Sequence, residues 1–256
     1  MGFMDKFKKS KTDDLKHNEN ESEKLKLQEI KDDRELFEIV KTNPSSDIRL
    51  EAIALIKDKK ILEEIVRGNY EWILRKKALE NIDDKDIITD ILEKSNEDYL
   101  KKQIINTKSI DEKVLEEIGL NDTDSSVRIA AIEKINNNDI LYDIIKREYK
   151  NNSESESSEL SIKAIANITD TDILKEIAKN ESCKHLSTLA ILKITDDDFL
   201  ISIVKTHTNE AVRIAAIDKI SDEEVLKDIA KNDSDSRVRK AAIDKIHDKD
   251  FLVRNM

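Results

Sequence analysis

The chain has 256 residues, of which 39% are charged and 38% hydrophobic, with three glycines, one proline and 4% aromatics. So few turn residues exclude a β-sandwich or doubly wound α/β fold and predict an all-α chain with an aliphatic core. A formal net charge of −11 repels nucleic-acid phosphates and anionic lipid unless a local basic stripe intervenes, so no nucleic-acid partner is expected.

Residues 1–20 are rich in Lys, Asp, Asn and Glu and predict a flexible N-terminal tail. Met1, Phe3, Met4 and Phe7 among Lys6, Lys8, Lys9 and Lys11 could touch a membrane surface, but the segment is too short for stable anchoring. No apolar run is long enough to cross a bilayer or to form a secretory signal. One cysteine, Cys183, excludes an internal disulfide, and a cytoplasmic location is the expectation.

From residue 21 the sequence repeats. The phrase VRIAAIDKI at Val212 returns as VRKAAIDKI at Val238 and stands earlier as VRIAAIEKI at Val127. The frame starts at Ser22, Ile48, Leu74, Leu100, Val127, Leu160, Leu186, Val212 and Val238, spaced by 26 residues except for one step of 27 and one of 33. With each start as offset zero, apolar residues recur at offsets four, five and eight, one face of a helix. Offset four is Ala52, Ala78, Ala131, Ala164, Ala190, Ala216 and Ala242, a small residue that lets helix axes approach. A second helix follows, with pairs such as Leu62 and Ile65, Leu174 and Ile177, or Leu226 and Ile229. Its start reads Thr169 to Asp172, Thr195 to Asp198 or Ser221 to Glu224: a hydroxyl and, three residues later, a carboxylate, which predicts a capping box.

One such helix pair cannot bury its own apolar face, so the units must stack. The expected fold is an α-solenoid over residues 21–256, built of about nine two-helix repeats of ~26 residues. The long step falls on a Ser/Glu/Asn-rich insertion at 147–159, expected to break the regularity of the stack.

The Val-Arg-x-Ala-Ala-Ile phrase, preceded by an acidic turn such as Asn232 to Asp235, resembles the HEAT and HEAT-like repeats. It is most similar to the short prokaryotic repeats grouped with the phycobilin lyases. The resemblance implies an armadillo-type helical fold and no particular activity. It also implies that the arginine after the valine pairs with acidic turn residues along the stack. Arg49, Arg75, Arg128, Arg213 and Arg239 hold that position, Lys101 nearly does, and Ser161 and Ser187 should interrupt the series. The HEAT-like deoxyhypusine hydroxylases hold two irons on His-Glu pairs, whereas the histidines here read His17-Asn18, His185-Leu186, His207-Thr208 and His247-Asp248. A phycobilin-lyase-like site would want an aromatic cleft, and a HEAT-like DNA glycosylase a basic one.

No phosphate-binding glycine loop, HExxH or GxSxG motif occurs. Cys183 and His185 lack an orienting third group. Asp196, Asp197 and Asp198 read as helix-start acids, and Trp72 with Tyr70 as packing at a helix entrance. The expectation is a non-enzyme with no metal and no cofactor.

The function expected is a protein–protein interaction scaffold that binds a protein or peptide on its curved inner surface. The alternative is a lyase-like or accessory enzyme on the same scaffold, with nucleic-acid binding third. Offsets two and six of the Val-Arg helix lie opposite its apolar stripe and should face solvent. Most units place polar residues there, but Ile129, Ile162, Ala166, Leu192 and Ile214 are apolar, with Leu50 and Ala54 earlier. Ile129, Ile162, Leu192 and Ile214 should therefore form an apolar ridge across four neighbouring units, a candidate partner site unless curvature buries it as core.

Overall fold

The computed structural model describes residues 22–151, 158–180 and 182–255, and every regular element among them is helical. The expected tail at 1–20 and the centre of the expected insertion, 152–157, lie outside the described residues. The chain divides into two compact units between Ile110 and Asp111. The first holds α1 (22–27), α2 (Asp33–Thr42), α3 (Ser46–Leu55), α4 (Lys59–Arg67), α5 (Trp72–Glu80), α6 (Lys85–Lys94) and α7 (Asp98–Thr107). The second holds α8 (Glu112–Asn121), α9 (Ser125–Ile132), α10 (Asn138–Asn151), α11 (Glu159–Asn167), α12 (Thr171–Ala178) and α13 (Lys184–Lys193). It continues with α14 (Asp197–Thr206), α15 (Glu210–Lys219), α16 (Glu223–Asn232), α17 (Ser236–Lys245) and α18 (Lys249–Asn255). Odd-numbered helices from α3 onward carry the Val-Arg phrase or its equivalent.

The fold is an α-solenoid whose helices pack consecutively in adjacent pairs. Its tight hairpins join a second helix to the Val-Arg helix that follows: α2 with α3, α4 with α5, α8 with α9, and so on to α16 with α17. This is half a repeat away from the pairing the sequence frame suggests. At three of these hairpins the arginine ties the two helices together. Arg49 Nε donates to the Val40 carbonyl at 2.8 Å, Arg75 Nε to Val66 at 2.7 Å and Arg128 Nε to Gly119 at 2.9 Å. Each holds an orphan carbonyl at the end of the preceding helix.

The Val-Arg helices also stack on one another, α3 on α5 in the first unit and α9, α11, α13, α15 and α17 in series in the second. Offsets zero and four are buried throughout, from Ile48 and Ala52 to Val238 and Ala242. Ten-residue helices such as α3 and α15 are too short to persist alone. Burial of each Leu, Ile or Val contributes about 1.5–3 kcal/mol and holds them.

Most second helices begin on acids, and α10 on Asn137. Asp58, Asp84, Asp170 and Asp222 accept hydrogen bonds from the backbone N–H groups two and three residues on. The cap is thus the acid after the hydroxyl, not Thr169 or Ser221 as the capping-box pattern predicts. A carboxylate reaches the same donors and also places negative charge on the positive helix end.

The stack continues across 147–159. Ser158 caps α11, and α11 packs on α9. Asn167 Nδ2 donates to the Ile132 carbonyl at 2.8 Å, and Lys163 Nζ to Glu133 Oε1 at 2.5 Å. The irregular element is α7, with Ile104 in place of the offset-four alanine and Lys108 in place of the offset-eight isoleucine. It packs on α6 less closely than the other hairpin pairs do, and the boundary between the units follows it. A β-branched side chain where its equivalents have alanine holds a neighbouring helix off.

Candidate functional site

On the Val-Arg helices offset six is exposed in every repeat: Ala54, Glu80, Asn106, Glu133, Ala166, Leu192, Asp218 and Asp244. Offset two is not. Leu50, Lys102, Ile129, Ile162, Thr188 and Ile214 are half-buried there, and Lys76 and Lys240 are exposed. The expected ridge therefore divides. Leu192 on α13 is 56% exposed, and Ala166 on the neighbouring α11 is exposed at the same offset. Ile129 on α9, Ile162 on α11 and Ile214 on α15 are half-buried, and Thr188 interrupts their row on α13.

A ladder at offset seven finishes these helices. Asn81 Nδ2 donates to Ile53 O at 3.0 Å, Lys193 Nζ to Ile165 O at 3.0 Å and Lys219 Nζ to Leu192 O at 2.7 Å. Lys245 Nζ bonds the carbonyls of Ile217, Asp218 and Ile220 at 2.9, 2.6 and 2.8 Å. Lys108, one position later, reaches Glu80 O and Ile82 O at 3.2 and 2.8 Å. Each donor caps the carbonyl end of the preceding Val-Arg helix, the task that a C-terminal glycine usually performs. Partial burial holds the ammonium groups of Lys108 and Lys193 below the ordinary lysine range.

The arginines run in parallel. Arg49 lies 3.6 Å from Glu71, Arg75 bonds Glu97 twice at 2.9 Å, and Arg128 bonds Glu148 at 3.1 Å. Arg213 grips Asp233 at 3.1 and 2.9 Å. Arg239 donates to the carbonyls of Asp233 and Ser234 at 2.8 and 3.1 Å. Ser161 and Ser187 are buried where the series is interrupted. The Ser187 hydroxyl lies 3.1, 2.7 and 3.1 Å from the carbonyl oxygens of Ile177, Asn180 and Cys183.

A groove of about 560 Å³ opens at the turns after α14 and α16, lined by Lys205, His207, Arg213, Asp228, Asn232 and Asp233 among others. His207 is 4% exposed. Its Nδ1 accepts from the Asn209 N–H at 3.1 Å, which assigns the ring proton to Nε2, a buried atom without a partner among the described residues. The turn is a repeated one. Asn43, Ser95, Asp122 and Asp233 accept from the N–H two residues on in the same way. His207 is its imidazole form, and Arg213 is committed to Asp233 and to the carbonyls of His207 and Thr208 at 2.9 and 3.0 Å. These groups hold turns together.

Among the described residues no three His, Cys, Asp or Glu side chains gather as metal ligands, and no helix is long and apolar enough to cross a membrane. Cys183 is half-buried at the start of α13, and His185 is exposed. Burial first, and then Cys183, pushes the Tyr149 hydroxyl above the usual phenol range. Asp196 caps α14 and pairs with Lys175 at 2.6 Å. Trp72 meets Tyr99 rather than Tyr70, with ring centroids 4.9 Å apart at 74°. Ile73 and Tyr99, which the offset argument did not single out, are each 54% exposed.

No protein-family profile and no curated sequence matches the chain. A solved structure described as "Computational Design of Self-Assembling Cyclic Protein Homooligomers" is similar at 17% identity over 92% of this chain and 84% of that one, with a TM-score of 0.12.

Proposed function

We propose that the chain is a non-catalytic, HEAT-like interaction scaffold that binds a protein or peptide across the Val-Arg helices of its second unit. The observation that carries this reading is Leu192, a leucine 56% exposed at an offset where other repeats place Glu133, Asp218 and Asp244. Exposed Ala166 and half-buried Ile162 and Ile214 stand at the facing offsets of the adjoining helices. Covering Leu192 gains about 25 cal/mol per Å² of apolar surface, and the charged neighbours supply a polar rim. The titratable groups support the same reading, since those of the arginine and offset-seven ladders are committed to helix ends and turns. A Leu192→Glu variant tests it. Partners captured by the parent chain should be lost while the thermal midpoint stays unchanged. Retention of every partner contradicts the assignment.

A further inference from the structure

The first unit carries a second exposed apolar group on its own Val-Arg helices. At the position before offset zero the repeats read Asp47, Ile73, Tyr99, Ser126, Glu159, His185, Ala211 and Arg237. Large apolar side chains occupy it at Ile73 on α5 and Tyr99 on α7, each 54% exposed. Trp72 lies edge-on to Tyr99 at 4.9 Å, and Arg75 ties α5 to Glu97, the residue before α7, through two 2.9 Å bonds. The Tyr99 ring is thus held in an exposed setting, and a ligand meets it already ordered. Three residues further, on the same helical face, stand Lys76 and Lys102. Neighbouring Lys77 has Glu80 at 3.9 Å, whereas neither Lys76 nor Lys102 has a carboxylate partner among the described residues.

We propose that Ile73, Lys76, Tyr99 and Lys102 form a docking site for an acidic, extended peptide segment. Carboxylates complement the two ammonium groups, and aliphatic or proline side chains complement Ile73 and the Tyr99 ring. The Trp72–Tyr99 contact and the Arg75–Glu97 bonds bring the starts of α5 and α7 together, so one extended chain reaches both. In a polyproline II chain residues i and i+3 share a face about 9 Å apart. Such a segment crossing α5 and α7 presents one carboxylate to each lysine and one apolar side chain to each of Ile73 and Tyr99. The site rests on the scaffold reading only in assigning recognition to Val-Arg helices, and it lies wholly within the first unit.

Trp72, the one tryptophan of the chain, reports on it directly. The probe is the peptide acetyl-(Glu-Leu-Pro)3-Glu-amide, titrated into the full chain at low salt and followed by tryptophan emission. A saturable change is expected, weakened about tenfold or more by Lys76→Glu with Lys102→Glu and by Ile73→Ser. The same peptide with lysine for glutamate should give none. Circular dichroism melting checks that each variant is folded, and if Lys102→Glu is not, Lys76→Glu alone carries the comparison. Leu192→Glu should leave peptide binding unchanged, so failure here and failure of the second-unit site are read separately. No saturable change up to about 1 mM, equal binding of the lysine peptide, or full binding by a folded charge-reversed variant overturns the proposal.

Discussion

The Lys245 ammonium on α17 lies 2.9 Å from the Ile217 carbonyl of α15, so one repeat supplies the helix cap of the repeat before it. The positive charge meets the negative end of α15, and the cap exists only when the next repeat is folded. Lys245→Met should lower stability by about 1.5–3 kcal/mol in urea unfolding. Lys240→Met, an exposed lysine on the same helix, should change it by less than about 0.5 kcal/mol. Equal effects would contradict the capping role.

Arg213 and Asp233 face each other with side chains only 9% exposed on either side. Arg213→Met leaves a buried carboxylate without its partner and should cost about 3–5 kcal/mol. Arg237 also pairs with acids, Glu210 and Asp235, but its side chain is 65% exposed. Arg237→Met should cost less than about 1 kcal/mol by the same assay.

Ala216 is fully buried on α15, which stacks on both α13 and α17. Ala216→Ile should destabilise by about 1–3 kcal/mol through overpacking. Ile104→Ala removes buried atoms from α7 and should lower stability too, by about 2–5 kcal/mol, because a cavity replaces the side chain. A neutral Ala216→Ile would show that the recurrent alanine is not a packing requirement.

Asp84, Asp196 and Asp248 pair with Lys59, Lys175 and Lys227 of preceding repeats at 2.9, 2.6 and 2.9 Å. That lysine first, and then the N–H groups of the helix start, hold each carboxyl below the usual carboxylate range. Arg237 does the same for Asp235, down to about 2. A carboxyl with a depressed folded pKa contributes stability above its unfolded pKa and loses it as pH falls through the folded value. The thermal midpoint should therefore hold steady from about pH 7 to 5 and fall below about pH 4. Replacing all three of Asp84, Asp196 and Asp248 by Asn should lower the neutral-pH midpoint and flatten the acid fall. An unchanged acid slope would count against this origin.

The helical stack was legible because offset four is alanine in seven repeats, Ala52 to Ala242, and the spacing is 26 residues at most steps. The hairpin frame was not. The turns before and after α3 are both three residues long, so the period is the same wherever a unit is taken to begin. The Arg49 bond to Val40, not the period, distinguishes the two turns. Leu192 stood out as an apolar residue at a polar offset. The half-burial of Ile129, Ile162 and Ile214 did not, since it depends on helix spacing set by alanines on the opposite face. Lys193, Lys219 and Lys245 recur visibly at offset seven, but their acceptors are backbone carbonyls, which leave no mark in a sequence. Ile73 and Tyr99 escaped notice because they sit in the first helical turn, where exposure depends on how the chain enters the helix.

The proposed recognition on the Val-Arg face of the second unit is tested by photocrosslinking with p-benzoylphenylalanine in place of Leu192. The same probe in place of Ser202, exposed on the second helix α14, serves as the comparison. In extract from the source cells, position 192 should give discrete heavier products that position 202 does not. Identical products from both positions, or none from position 192, would contradict a binding site on this face.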